Sequence, residues 1–516
     1  MKKNTFGHRV LTLAAAGLFS LSGWAQGTNS VVIDPTDTPD EITAKAASVV
    51  PSPRQFAWQR QELTAFIHFG MNTFTNREWG EGTESEKTFN PTGMDCDQWV
   101  KTLKEAGFKQ VVFTCKHHDG FCLWPSAYTE YSVKNSPWMD GKGDVVKMVS
   151  DACKKYDMHF GVYLSPWDRN NAAYGTPAYN DYFCNQLTEL LTNYGKIYEV
   201  WFDGACGEGP NGKKQVYDFP RYYKLIRDLQ PDAVISGMAP DCRWVGTETG
   251  VGRETEWSVV PNSNMDPALV AAHSQQADIA PPTGDMTDED LGSRDVIQKA
   301  KMLVWYPAET DVSIRPGWFY HKDQDAKVKT PEKLMDIYFT SVGRNGVLLL
   351  NVPPATDGRF ADADVASLKG FHALWEKIFS NNLLSGAKVK AAKGEDKTTA
   401  AAIIDGNYDT SYCPKMSISV QEAGKGEVPV TFTLKQPVRF NVLSLQEDIR
   451  KGQRVEDFVL QVKQDGKWKE VAKGTTIGYK RLIKLSEPVT AQDVRLVVRQ
   501  SRGTPALAEM GLYSWE

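Results

Sequence analysis

The 516-residue chain has no long run of one charge sign, and its formal net charge is only −5. Nothing in it argues for nucleic acid or an anionic membrane surface as a partner. After the first 25 residues no stretch is long and apolar enough to span a bilayer, so membrane insertion is not expected. No G-x-G-x-x-G follows the first predicted strand and no Walker A sequence is present, which argues against the common phosphate-cradling loops. Cysteine is sparse, at positions 96, 115, 122, 153, 184, 206, 242 and 413. An even count in an exported chain permits disulfides without revealing their pairing. Cys115-Lys-His-His-Asp-Gly-Phe-Cys122 matches no structural zinc spacing, so buried thiols near strand ends are the expectation and no metal ligands are assigned. Oligomeric state is not legible.

What is present begins with Lys2, Lys3 and Arg9 before an apolar core from Val10 to Leu21 and a small-residue site at Gly23-Trp24-Ala25. That pattern predicts a signal peptide over 1–25 and a periplasmic or secreted protein. No Cys follows the core, so no lipoprotein anchor is expected. Residues 26–50, with several Pro, Thr and Asp, read as a mobile lead-in.

From 51 to 385 strand and helix patterns alternate. Strands are predicted at 63–70, 110–117, 159–166, 198–203, 232–237, 242–246, 301–307 and 346–354, with helices between most of them. Repeated β-then-α units give a parallel sheet, and nearly continuous apolar strands mean that both faces are covered. About eight units point to an α/β fold, a (β/α)8 TIM-like barrel, ahead of an open doubly wound sheet. From 386 to 516 the pattern changes to short alternating runs such as VTFTLKQ and VRLVVRQ with turns at Gly406-Asn407 and Asp465-Gly466. That predicts an antiparallel β-sandwich.

Barrel enzymes act at the carboxyl ends of their strands. Those ends carry His68, Asn72, Glu78 and Trp79; His117, His118 and Asp119; Tyr163, Trp167 and Asp168; Asp203; Asp241, Arg243 and Glu248; and Glu309 and Trp318. Imidazoles and carboxylates suit sugar hydroxyls, and flat rings suit the apolar face of a sugar. Glycoside hydrolysis commonly needs two carboxyls, and Asp203, at the end of the apolar run VWFD, is placed to be one. Rival readings are a metal-dependent barrel hydrolase built on the same His and Asp residues, and a non-catalytic glycan-binding protein.

The motifs FIHFGMNTFTNREWG, CKHHDGFCLWPS, GVYLSPWD, VWFDGA, RWVGTETG, PGWFYH and VGRNGVLLLNVPP, in this order, resemble the α-L-fucosidases of glycoside hydrolase family 29. RWVGTETG and LSLQEDIRKGQRVEDF resemble the subfamily selective for α-1,3/1,4-linked fucose, with a broad-specificity fucosidase as the alternative. The tail, with IIDGNYDTSY, resembles a discoidin-like carbohydrate-binding domain. The resemblance implies a retaining exo-acting fucosidase, with Asp203 as nucleophile and Glu248 as acid/base. Glu208, Glu254 and Glu256 are nearby rivals for the second role. It implies that His68, Glu78, His117, His118, Tyr163, Arg243 and Trp318 hold fucose. No cofactor is required, and a structural Ca²⁺ in the C-terminal domain is left open.

Overall fold

The computed structural model describes residues 27–237, 239–261, 289–394, 398–414 and 427–515; the expected signal peptide lies outside them. In chain order, strand β1 (Ser30–Val32) and helix α1 (Pro39–Ser48) come first. Then follow β2 (Leu63–Ile67), β3 (Gln110–Lys116), β4 (His159–Leu164), β5 (Glu199–Phe202), β6 (Val234–Gly237) and the two-residue β7 (Arg243–Trp244). β8 (Val259–Pro261), β9 (Met302–Trp305), β10 (Ala308–Ser313) and β11 (Val347–Asn351) complete the first domain.

Eight of these strands make one parallel sheet in the order β6-β5-β4-β3-β2-β11-β10-β7. β6 and β7, the two ends of that order, are neighbours in sequence, so the sheet curls into a nearly closed barrel. Helices over Cys96–Glu105, Val145–Lys155, Pro177–Asn193, Phe219–Leu229, Pro331–Thr340 and Asp362–Phe379 alternate with the strands. Several begin where a short polar side chain accepts from the N3 backbone N–H: Asp95, Asp144, Asp218 and Thr330. Such a cap satisfies one donor that a helix start leaves free. β6 stops at Gly237, whose φ is +73° and whose added Cβ would lie 2.0 Å from the Phe202 carbonyl oxygen, so only glycine serves there.

Two expectations are corrected. The strand predicted at 301–307 is not in the barrel: β9 pairs antiparallel with β1 and β8 in a small separate sheet. The barrel strand is the more polar AETDVS of β10, whose Glu309 and Asp311 face the barrel interior. The apolar run has the pattern expected of a core strand, whereas the true one spends its inward positions on carboxyls. The lead-in is not loose either. β1 pairs with β9, and α1 has a full capping box at Thr38 and Glu41. Ile33, Ile42, Ala46 and Val49 share a core with Leu303, Trp305, Ile449 and Tyr479, so this segment wedges between the two domains. All eight cysteines are free and buried.

The C-terminal domain contains β12 (Lys388–Lys390), β13 (Val428–Glu447), β14 (Val455–Gln464), β15 (Lys467–Gly474), β16 (Arg481–Ser501) and β17 (Leu507–Tyr513). Among the described residues all its strand pairings are antiparallel. β13 and β16 bend where register shifts break their ladder near Thr433/Val438 and Phe440/Val442, as bulges do. Asp465 and Gly466 both have positive φ and close the β14–β15 hairpin.

Candidate active site

A cavity of about 270 Å³ opens at the carboxyl ends of the barrel strands. It is lined by Phe66, His68, Glu78, Trp79, His117, His118, Trp201, Asp203, Glu248, Asp311 and Trp318, among others. Strand alternation builds it. On β5 and just beyond, Glu199, Trp201 and Asp203 point inward while Val200 and Phe202 join the core under the helices. Phe66, Val112, Tyr163, Trp201 and Leu349 fill the barrel beneath the cavity. Trp79, 55% exposed, stands at the mouth edge-on to Trp167 and His118.

Asp203 is fixed through both oxygens. Tyr163 Oη donates to Oδ2 at 3.0 Å and Ala205 N–H to Oδ1 at 2.7 Å. His118 Nε2 lies 3.9 Å from Oδ2. Glu248 stands exposed at the rim of the cavity; partial desolvation, then the charge of Asp203, holds its carboxyl above the ordinary range, against a hydrogen bond with Trp318 that favours ionisation. Asp311 accepts from Trp244 Nε1 at 2.9 Å. Burial, then the nearby Glu248, pushes it up to about 8. Glu78 is held by Trp318 N–H at 2.8 Å and by His321 Nε2 at 2.6 Å.

The three cavity histidines are oriented by their outer nitrogens. His68 Nδ1 lies 2.8 Å from Asn351 Oδ1, whose amide is fixed by its own donations to Ser313 Oγ and the Trp318 carbonyl. Nδ1 therefore carries the proton. His118 Nδ1 meets Ser165 Oγ at 2.8 Å, and that hydroxyl donates onward to the Trp167 carbonyl, so Nδ1 is again the donor. His117 Nδ1 instead accepts from Asn72 Nδ2, which also donates to the Glu78 carbonyl. As neutral rings, His68 and His118 keep Nε2 as an acceptor, and His117 keeps Nε2–H as a donor. Burial, the largest cause in each case, lowers all three, His68 to about 4. A wall of fixed donors and acceptors beside flat rings matches a sugar's hydroxyls and apolar face.

Of the residues expected at the site, Asp203, Glu248, His68, Glu78, His117, His118 and Trp318 line the cavity, and Tyr163 lies beneath it, touching Asp203. Arg243 is a correction. On two-residue β7 Trp244 faces inward and Arg243 faces out, wholly buried, holding Glu256 and the carbonyls of Tyr306 and Trp257. The rival acids fall away from the cavity: Glu254 and Glu256 pair with arginines, and Glu208 is not part of its lining. Asp241 pairs with Arg54 and Arg227, and Asp168 with Lys116. Sequence reasoning missed Trp201 and Asp311. Both lie on strands two residues from a carboxylate noted at a strand end, and inward alternation from Asp203 and Glu309 was the signal that could have found them. Among the described residues no three His, Cys, Asp or Glu side chains converge to hold a metal ion.

A parallel barrel whose catalytic mouth combines two neighbouring carboxyls, neutral histidines and aromatic walls defines a barrel glycosidase. The α-L-fucosidase family model matches residues 54–378, and an F5/8 type C domain model matches 387–510. α-L-Fucosidase 1 of Arabidopsis thaliana is 41% identical over 90% of this chain and 87% of its own. A Bacteroides ovatus structure provisionally assigned as an α-L-fucosidase is 48% identical, covers 95% of this chain and 78% of its own, and has a TM-score of 0.83. A family 29 fucosidase of Ruminococcus gnavus, solved with fucose, is 33% identical over 90% and 95% of the two chains, with a TM-score of 0.78. The chain belongs to glycoside hydrolase family 29, the α-L-fucosidases.

Proposed function

We propose that the enzyme is an exo-acting, retaining α-L-fucosidase that removes α-1,3/1,4-linked fucose, with Asp203 as nucleophile and Glu248 as acid/base. The observation that carries this is the meeting of Asp203 and Glu248 on one cavity, with the charge of the first felt by the second. Asp203 ends a rigid strand, so its attack on the anomeric carbon is aimed by the barrel. Glu248, held above the ordinary carboxyl range, starts protonated and gives its proton to the departing oxygen. It then takes a proton from the water that releases fucose. The neutral imidazoles of His68, His117 and His118, with Glu78, meet the hydroxyls, and Trp318 and Trp201 supply apolar walls. Linkage choice rests on the RWVGTETG and LSLQEDIRKGQRVEDF motifs, and export rests on the N-terminal leader pattern.

Asp203→Ala is expected to abolish turnover without unfolding the protein, and azide is expected to restore a β-fucosyl azide product. Wild-type turnover, or an α-azide, would refute the covalent route. A turnover screen on branched Lewis-type, linear α-1,2 and aryl fucosides tests the linkage; equal rates on the first two would favour the broad-specificity alternative.

The F5/8 type C match also brings a structural Ca²⁺ into this reading, and two carboxyls offer it ligands. Glu509 Oε1 is buried with no hydrogen-bond partner. Its carboxyl, pushed up to about 8 by burial and by the charge of Asp405, lies against that residue in the Asp405–Thr410 loop. The loop also turns the Gly406 and Asn407 N–H groups toward Glu509, so the two crowded carboxyls are the donors offered to a hard cation. Asp405 and Glu509 would hold it, and it would neutralise their repulsion.

A further inference from the structure

Glu248 stands on a loop, whereas Asp203 ends a strand. A proton donor needs to be held as closely as a nucleophile, so the source of the loop's order matters. The barrel holds its outgoing half: Val245 N–H donates to the Glu309 carbonyl at 2.9 Å and Gly250 N–H to the Asp311 carbonyl at 3.2 Å. The returning half is held from both domains: on the barrel side Arg344 donates to the Gly252 carbonyl at 2.9 Å and Asn345 Nδ2 to the Glu256 carbonyl at 3.3 Å, and the C-terminal domain adds a second set of contacts. Gln453 Nε2 donates to the Glu256 carbonyl at 2.8 Å, and its Oε1 accepts from Ser258 N–H at 2.7 Å. Thr476 Oγ1 accepts from Glu256 N–H at 3.2 Å. Arg481 donates to the Glu254 carbonyl at 2.6 Å and pairs with its carboxylate. Gln453, Thr476 and Arg481 are all buried. Three buried polar side chains of one domain thus spend their hydrogen bonds mainly on the main chain of a single loop of the other.

We propose that the C-terminal domain is a positioning part of the catalytic apparatus: Gln453, Thr476 and Arg481 order the loop that carries Glu248 over the sugar. This rests on the reading of Glu248 as acid/base.

The test uses the full chain. Gln453→Ala, Thr476→Val and Arg481→Met are compared with Glu248→Ala on an aryl fucoside with a good leaving group and on an oligosaccharide with a poor one. Melting temperature is measured for each. Loss of a general acid costs about 10²–10⁴-fold, concentrated on the poor leaving group. The folded positioning variants are expected to show the same split, with about a tenfold loss in kcat/KM on the oligosaccharide and little on the aryl substrate. Equal losses on both substrates, or none on either, would overturn the proposal and leave the seam purely structural. If Glu248→Ala itself shows no split, the acid/base reading fails instead. Should Gln453→Ala not fold, Thr476→Val, which keeps the volume, and Arg481→Met carry the comparison.

Discussion

His68 shows how a single residue links binding to stability. Its ring is buried against Phe66 and Trp318, and desolvation lowers it from 6.5 to about 4. Between those values the unfolded chain binds a proton that the folded chain refuses. This part of the stability is therefore full above pH 6.5 and is lost as pH falls to about 4, a swing of about 3 kcal/mol. His117 and His118 are shifted the same way and steepen the acid limb. Denaturant unfolding from pH 7 to 4 is expected to show stability falling across this window, and His68→Phe is expected to reduce the slope by about one proton. An unchanged slope would mean that the ring is charged in the folded protein. At this scale the site was largely legible, because His, Asp and Glu at strand ends announce themselves. Arg243 misled because position along a strand does not say which way a residue points, and Asp311 was hidden inside a segment not recognised as a strand.

Strands β5 and β10 meet inside the barrel through Glu199 and Glu309. Glu199 accepts from Trp58 Nε1 at 3.0 Å and also from Gln110 and Ser236, while Trp201 Nε1 donates to Glu309 at 2.6 Å. Burial first, then the mutual charge, raises Glu309 far above the usual carboxyl range, so it is the neutral member and its O–H serves Glu199. A glutamine reproduces that pattern, donating to Glu199 and accepting from Trp201. Glu309→Gln is expected to fold within about 1 kcal/mol of wild type at neutral pH. Because a raised folded pKa costs stability as pH climbs above the unfolded value, the variant is expected to gain on wild type toward alkaline pH. Glu309→Ala is expected to lose about 2–4 kcal/mol, through the cavity and the lost partner. Chemical unfolding at pH 7 and 9 decides it; a Gln variant as weak as the Ala variant would show that a proton is not shared. The element scale is where sequence reading erred. Periodicity finds apolar strands, and β10 carries its polar residues inward because the barrel's interior here is partly acidic.

The whole molecule is two domains joined along a polar seam. Their order, and the change of pattern near residue 386, were plain from composition and turn residues; the seam was not, since hydrogen bonds between segments 200 residues apart leave no local trace. Arg294 grips Glu456 through three contacts of 2.6–3.0 Å, and Lys480 pairs with Glu62 at 2.6 Å. If Ca²⁺ relieves Asp405 and Glu509, excess chelator is expected to lower the melting temperature and added Ca²⁺ to restore it. A ligand at a hundred times its dissociation constant adds about 2.7 kcal/mol. A melting curve indifferent to chelator and to Ca²⁺ would remove the ion from the account.

The wedge formed by β1 and α1 bears on how a shortened version of this enzyme should be made. The family match starts at residue 54, and a recombinant trimmed to that point would strip the partner from β9 and bare Leu303 and Trp305 to solvent. It would also take away the Ala47 carbonyl that receives Arg454 and the Thr43 hydroxyl that receives Arg294. The usable start of the gene fragment is therefore upstream of Asn29, and an affinity handle attached there must leave that short strand free to pair.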